Sequence, residues 1–466
     1  MENLIHNSLV IADSLFFWYF VVLNVFYLVL LAIAALAVSD YRNRMRVQRG
    51  VSVPEEYQKP FSILVPAYNE ALQIVESVNA LLALEYPEHE VIICNDGSTD
   101  GTLQLLIDAF ELEKVNIQSP VPEYQKTIRG VYYSRKDYRL VVIDKANSGK
   151  AATLNVSESF SRYPYVCSID ADSLLSSDSM KQLMQEFVVA PMTVAAGGII
   201  RLSNGSVIKD GRIVELKIPE ATVERIQVVE YFRSFLFGRI GMERMNVLMI
   251  ISGAFGVFRR DILHKVHGWM TSAIGEDMEL VISMQRLIHD QKLKSRIGFA
   301  PYPVCWTQAP DSFKALGVQR DRWQRALVQS MFSNMGLFFN PRYGALGMLG
   351  FPYFFMFEMM GALVEFIGYP LIIISFILGY VNFPFLLLFL SISLVWGMCI
   401  STLSLVLAEQ SFRRYSSPGS VRNLVIAAFF ENFGYRQMHA YWRVKGMVKY
   451  IFKGRGEWGR IERRKY

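Results

Sequence analysis

Two kinds of apolar pattern run along this chain, and they predict two kinds of structure. Residues 15–38, LFFWYFVVLNVFYLVLLAIAALAV, form an uncharged run long enough to cross the hydrocarbon core of a bilayer as a helix. A second apolar zone, 349–408, divides at Asn382–Pro384 into stretches 360–380 and 384–408, which read as a helical hairpin. Between residues 60 and 310 the apolar runs are short and alternate with segments of helical period. Strands are expected at Phe61–Pro66, Glu90–Cys94, Arg139–Ile143 and Tyr165–Ile169. Helices are expected at Ala71–Leu84, Thr102–Phe110, Ala151–Phe160 and Met278–Leu287. Strand–helix alternation with near-continuous apolar strands predicts an α/β domain on a mostly parallel sheet covered on both faces.

The flanks of the first run set an orientation. Residues 1–14 hold no Lys or Arg, whereas Arg42, Arg44, Arg46 and Arg49 follow the run. A cleaved signal peptide would have a basic start and a shorter apolar core, so the run reads as an anchor. The basic flank marks the cytoplasmic side, and Arg413 and Arg414 after the hairpin agree with it. The expectation is a multi-pass protein of the inner (plasma) membrane, with its N-terminus outside and its α/β domain in the cytoplasm. The expected organisation is an anchor in 1–50, a soluble domain in 51–335, membrane and interfacial helices in 336–435 and a basic tail in 436–466. Segments 345–359 and 421–435 carry Pro352, Glu358, Glu431 and Asn432 and read as interfacial or re-entrant helices. Glu358 and Glu365 need a polar path or a basic partner in such surroundings; a pair at the interface is the plainer reading.

Composition adds two constraints. The net charge is +6, and the excess lies from Arg436 onward. Beside apolar segments that excess suits a lipid surface, and no nucleic-acid partner is expected. The cysteines Cys94, Cys167, Cys305 and Cys399 show neither zinc nor disulfide spacing and are expected as small buried hydrophobes.

Sheets of the expected kind bind ligands beyond the carboxyl ends of their strands. Pro66, Tyr68, Asn69 and Glu70 follow the first strand, Asn95–Gly101 the second, and Asp170-Ala171-Asp172 a later one. Asp100 reads as a turn or helix-cap residue. The spacing of Asp170 and Asp172 can aim both carboxylates to one side. Their repulsion is relieved by a hard cation, Mg²⁺ or Mn²⁺, bridging to substrate phosphates, and a capping role for Asp172 competes with that reading. No P-loop is present. Ser148-Gly149-Lys150 opens a helix, either as a phosphate site or as a plain helix start. Gly275-Glu276-Asp277, taken alone, could equally start a helix.

In order, the motifs VPAYNE, NDGSTDGT, KANSGKAATLN, DAD, GED and QRDRW resemble the processive family-2 glycosyltransferases over roughly residues 58–330. That group includes cellulose, hyaluronan and poly-N-acetylglucosamine synthases. The resemblance implies a GT-A-like domain, a UDP-sugar donor, a growing extracellular polysaccharide as acceptor, the lipid bilayer and an accessory membrane subunit as partners, and Mg²⁺ or Mn²⁺ as cofactor. It assigns Pro66, Tyr68, Glu70, Asp96, Lys150, Asp170, Gln319, Arg322 and Trp323 to the nucleotide sugar. Asp170 and Asp172 fall to the metal, Asp277 to the general base, and Ser252, Gly253, Glu276 and Trp323 to the acceptor. UDP-N-acetylglucosamine is the first choice of donor and UDP-glucose the next. A non-processive transferase adding one sugar to a lipid stays open, since it needs the aspartates but not Gln319–Trp323. The chain departs from the pattern at Asn95-Asp96, where some members have two aspartates, and shows no evident cellulose-type gating loop.

Overall fold

A computed structural model of the chain describes residues 2–47, 58–209, 211–412 and 418–454. Arg49, Arg413, Arg414 and the basic residues from Arg455 onward lie outside the described residues. The chain divides into two compact units, one comprising Asn43–Pro219 and Leu248–Ala309, the other Met1–Arg42, Glu220–Val247 and Pro310–Ile461.

The first of these holds the strands: β1 (Phe61–Ala67), β2 (His89–Asp96), β3 (Leu112–Val115), β4 (Ile128–Ser134), β5 (Leu140–Lys145), β6 (Tyr165–Ser168), β7 (Leu174–Leu175), β8 (Thr193–Leu202), β9 (Val207–Lys209), β10 (Arg212–Glu215), β11 (Gly256–Arg259) and β12 (Arg296–Thr307). A 10-stranded sheet runs β3-β4-β5-β2-β1-β6-β11-β8-β12-β7, and β9 and β10 form a separate hairpin. β5, β2, β1 and β6 are parallel, as are β8 and β12. The expected α/β sheet is therefore present. Antiparallel strands extend it at β3–β4–β5, around β11 and at β7. β2 is buried along its whole length, the pattern of a strand covered on both faces.

Local chemistry sets the helix starts. The helix expected from Ala71 begins at Ile74. Asn69 takes a left-handed φ of 57°, and the Glu70 carbonyl accepts from the Gln73 and Ile74 amides, so a turn comes first. The helix after Gly275 spans Glu276–Asp290, longer than expected at both ends. Cys94, Cys167 and Cys305 are free and buried, whereas Cys399 is exposed on an apolar helix.

The described part of the second unit is helical. Among the described residues two helices, His6–Asn43 and Phe383–Leu407, are long and apolar enough to cross a membrane. Leu346–Met359 with Gly361–Ile377, bent by 44°, qualify together as a third, broken span. The break expected at Asn382–Pro384 is a helix start. Asn382 Oδ1 accepts from the Phe385 amide at 2.9 Å, and Pro384 sits in the first turn, where its missing N–H has no helical partner to lose. Glu365 has a basic partner, Arg436, at 2.5 Å. Glu358 instead accepts from the Tyr353 hydroxyl at 2.7 Å. The helix Phe313–Ser333 packs closely on Arg436–Lys453. A Cβ on Gly446 would meet the Asp321 carbonyl oxygen at 2.6 Å, and one on Gly317 would meet Trp442 at 2.8 Å. Arg443 donates to Gln324 at 2.8 Å, and Lys449 pairs with Asp321 at 2.6 Å.

Candidate active site

The carboxyl ends of β1 and β2 are stitched to each other before they meet anything else. Asn69 Oδ1 accepts from the Thr99 amide at 2.8 Å, and the Asn69 amide donates to Ser98 Oγ at 2.9 Å. Asp100 Oδ2 accepts from the Ala71 amide at 3.1 Å, while its Oδ1 takes the Thr102 amide and hydroxyl. Burial works against the Asp100 charge, but these hydrogen bonds outweigh it and hold its carboxyl below the ordinary range. Asp100 is thus a brace and a helix-start residue. Pro66 lies one residue before the end of β1, Tyr68 is exposed, and Glu70 is buried with its amide donating to Thr102 Oγ1 at 2.9 Å.

Asp96 is enclosed. Lys145 Nζ donates to its Oδ1 at 2.5 Å, the Ser148 amide to the same oxygen at 2.9 Å, and the Gly149 amide to its Oδ2 at 2.9 Å. The carboxylate therefore shapes the loop that leads into Lys150. Lys145, which sequence reasoning passed over, is fully buried and also donates to Ser148 Oγ. Its only sequence signal is a lysine closing an apolar strand; the pairing with Asp96 comes from the β2–β5 register. The same register explains Asn95. Its amide donates to Asp144 Oδ1 at 2.7 Å, so an aspartate at this position would face a second carboxylate.

A charged cluster gathers beside this loop. Lys150 Nζ lies 2.6 Å from Asp170 Oδ1 and 3.3 Å from Glu276 Oε1. Burial opposes the ammonium charge, but Asp170 and Glu276 overcome it and raise the Lys150 pKa. Burial, followed by the neighbouring Asp277 charge, pushes the Glu276 carboxyl upward, and Lys150 opposes it. Asp277 is half-buried. Its Oδ2 accepts from the Gly253 amide at 3.2 Å and its Oδ1 from the Met278 amide at 2.8 Å. The Gly253 carbonyl in turn accepts from Ser168 Oγ at 3.2 Å, and Ser252 Oγ accepts from the Ala254 amide at 3.4 Å. Ser252, Gly253, Glu276, Asp277, Lys150 and Asp170 thus meet, although four separate segments carry them.

Gly253 is required by close approach. A Cβ there would stand 2.9 Å from Lys150 Nζ and 3.5 Å from Asp277 Cβ. Gly253→Ala is expected to displace the flexible lysine end and to lower turnover by about 10²-fold, the scale of an ångström-sized misplacement of reacting groups. The melting temperature should barely move, since no backbone is forced aside. Initial rates and a thermal melt of the same preparation check this; unchanged turnover refutes it.

Asp170 and Asp172 leave one turn after β6, where the Ser173 amide donates to the Asp170 carbonyl at 3.0 Å. The Asp170 side chain is 33% exposed and Asp172 is half-buried. Among the described residues no group of three or more His, Cys, Asp or Glu is placed to hold an ion by itself. Two carboxylates from one turn still fit Mg²⁺ or Mn²⁺, because such ions complete their shell with water and substrate phosphates.

Gln319, Arg322 and Trp323 belong to the other unit, on the helix Phe313–Ser333. Their i, i+3, i+4 spacing puts them on one face. Ser312 caps that helix, accepting from the Ala315 amide at 3.3 Å. Trp323 is 41% exposed, and the Gln319 side-chain oxygen is buried with no hydrogen-bond partner among the described residues.

Residues 58–326 match the family model described as "Glycosyltransferase like family 2". A poly-beta-1,6-N-acetyl-D-glucosamine synthase of Staphylococcus epidermidis is 27% identical over 277 residues, 59% of this chain and 57% of that protein. The synthase of the same name from Staphylococcus aureus strain COL is 27% identical over 281 residues, again 59% of this chain and 57% of the relative. The chain therefore spans a little over half the length of the curated relatives it matches. A mannosyltransferase of Pyrobaculum calidifontis, solved with GDP-Man and Mn²⁺, shares the fold at a TM-score of 0.50. Its identity is 16%, over 91% of this chain and 99% of that one.

Proposed function

We propose that this chain, which belongs to glycosyltransferase-like family 2, builds a β-linked extracellular polysaccharide by inverting sugar transfer from a UDP-sugar, with UDP-N-acetylglucosamine the first choice of donor. The observation that carries the reading is the convergence of Lys150, Asp170, Glu276 and Asp277 around Gly253. In transfer, the acceptor hydroxyl oxygen bonds to the anomeric carbon of the donor as the bond to the diphosphate oxygen breaks and UDP leaves. Asp277 takes the acceptor proton; its oxygens are oriented by the Gly253 and Met278 backbone amides. Glu276 is less suited to that role, being buried and engaged with Lys150, and is assigned to orienting the acceptor. The Lys150 ammonium meets the charge that develops on the departing diphosphate. Asp170 and Asp172 would hold Mg²⁺ or Mn²⁺, which when bound neutralises the diphosphate.

Pro66, Tyr68 and Glu70 are assigned to the walls of the nucleotide site, and Asp96 to it through the loop it braces. Gln319, Arg322 and Trp323 are assigned by their motif, with Arg322 at the diphosphate and Trp323 stacking on the acceptor sugar. The apolar helices support an inner-membrane protein with its catalytic unit cytoplasmic and its N-terminus outside, extruding the product as it forms. The names of the Staphylococcus relatives support N-acetylglucosamine as the transferred sugar.

Purified protein with radiolabelled UDP-N-acetylglucosamine tests the reading. Long labelled chains accompanied by UDP release are expected. A glycolipid bearing a single sugar as sole product would replace polymerisation by lipid glycosylation. Absence of UDP release with every UDP-sugar would overturn both.

A further inference from the structure

Trp323 does not stand alone on its helix. The guanidinium carbon of Arg320 lies 4.5 Å from the centroid of the Trp323 ring, three residues and nearly one turn away. Arg320 is 7% exposed. Its Nη2 donates to Glu230 Oε2 at 2.6 Å, and the Tyr435 hydroxyl donates to the same oxygen at 2.9 Å. His439 stacks on the Tyr435 ring, with centroids 6.2 Å apart and planes within 10°. These groups come from three separate segments of one unit. The motif places Arg320 nearly one turn from Trp323, but it explains neither Glu230 nor Tyr435, which lie far away in sequence.

We infer that Glu230 and Tyr435 are positioning residues that hold Arg320 against the Trp323 ring and so present the indole, already ordered, as the stacking surface for the acceptor sugar. The inference rests on the reading of Trp323 as the acceptor aromatic. An aromatic side chain fixed before binding spares the acceptor the entropy of ordering it, and a buried guanidinium on the ring adds attraction of its own. Both donors reach a single Glu230 oxygen, which has a lone pair for each. Burial pushes that carboxyl upward, and Arg320 opposes the shift.

The test uses the full chain in detergent or nanodiscs, with a soluble β-linked N-acetylglucosamine oligosaccharide as acceptor and UDP-N-acetylglucosamine as donor. Glu230→Gln is expected to raise the acceptor KM about tenfold and to shorten the product while leaving the donor KM unchanged. Tyr435→Phe should do the same more weakly. Because one partner of a buried pair left alone can unfold its surroundings, the neutral pair Glu230→Gln with Arg320→Gln is measured too, and its acceptor KM should rise likewise. In a Trp323→Ala background the effect of Glu230→Gln should vanish. An equal effect in both backgrounds, an equal rise in donor KM, or an unchanged acceptor KM in the folded neutral pair overturns the inference while leaving the acceptor role of Trp323 standing. If Trp323→Ala itself leaves the acceptor KM unchanged, the reading of Trp323 fails, and this inference with it.

Discussion

Asp277→Asn is expected to reduce sugar transfer by about 10²- to 10⁴-fold, the range over which a positioned general base contributes. Asparagine keeps the shape of the side chain but cannot take the acceptor proton. The geometry makes the comparison clean. Asp277 accepts from the Gly253 and Met278 amides and forms no ion pair closer than 4.0 Å among the described residues, so the change strands no buried cation. One of those amides would face the new side-chain NH₂, at a stability cost of about 1 kcal/mol. Donor binding, followed by calorimetry with UDP, should be close to that of the parent protein. Single-turnover transfer should be lost, and a thermal melt should show only a small shift. If Asp277→Asn transfers within a factor of a few of the parent rate, the proton must go elsewhere, and Glu276 becomes the residue to examine.

Removal of the divalent ion is the second large effect. Chelation with EDTA should lower turnover by about 10²-fold or more, since a cation on the diphosphate contributes several kcal/mol and each 1.36 kcal/mol is tenfold in rate. Mn²⁺ or Mg²⁺ added back should restore the parent. Asp172→Ala should lower activity in the presence of the ion and shift the metal concentration needed. Asp170→Asn should do both and also release Lys150, whose ammonium sits 2.6 Å from the Asp170 carboxylate. Asp170→Asn is therefore the more damaging of the two. Activity that survives both chelation and Asp172→Ala would remove the metal from the assignment and leave Lys150 as the group facing the diphosphate.

Much of the architecture is local and was legible along the chain. Apolar runs bounded by polar turns placed β1, β2, β5 and β6 within a residue or two, because a strand buried on both faces must be apolar almost throughout. Thr102–Phe110 matched its helix end to end. The start at Asn382 was readable because a capping side chain and a following proline act within a single turn. The strand ends also marked where the acidic residues would lie, since a parallel sheet carries its ligand rim on one side.

The division of labour among those residues belongs to the tertiary structure. Asp96 is an open acid by its motif, yet in the fold its carboxylate is consumed by Lys145 and two amides, because strands distant in sequence are neighbours in the sheet. Periodicity shows that β2 and β5 are strands; it carries no information on which residues face each other across them. Lys150, Gly253 and Asp277 meet for the same reason. Their contact depends on how separate segments pack, and only the chain's closure brings them within 4 Å. Glu230 beneath Arg320 is the extreme case, a carboxylate with no local signal whose partner lies 90 residues away. What the sequence determined by itself was the set of elements and the chemistry available at their ends, since both follow from interactions a few residues long. Which of those groups brace the site and which are left facing a substrate was decided by long-range pairing, and no local pattern encodes that.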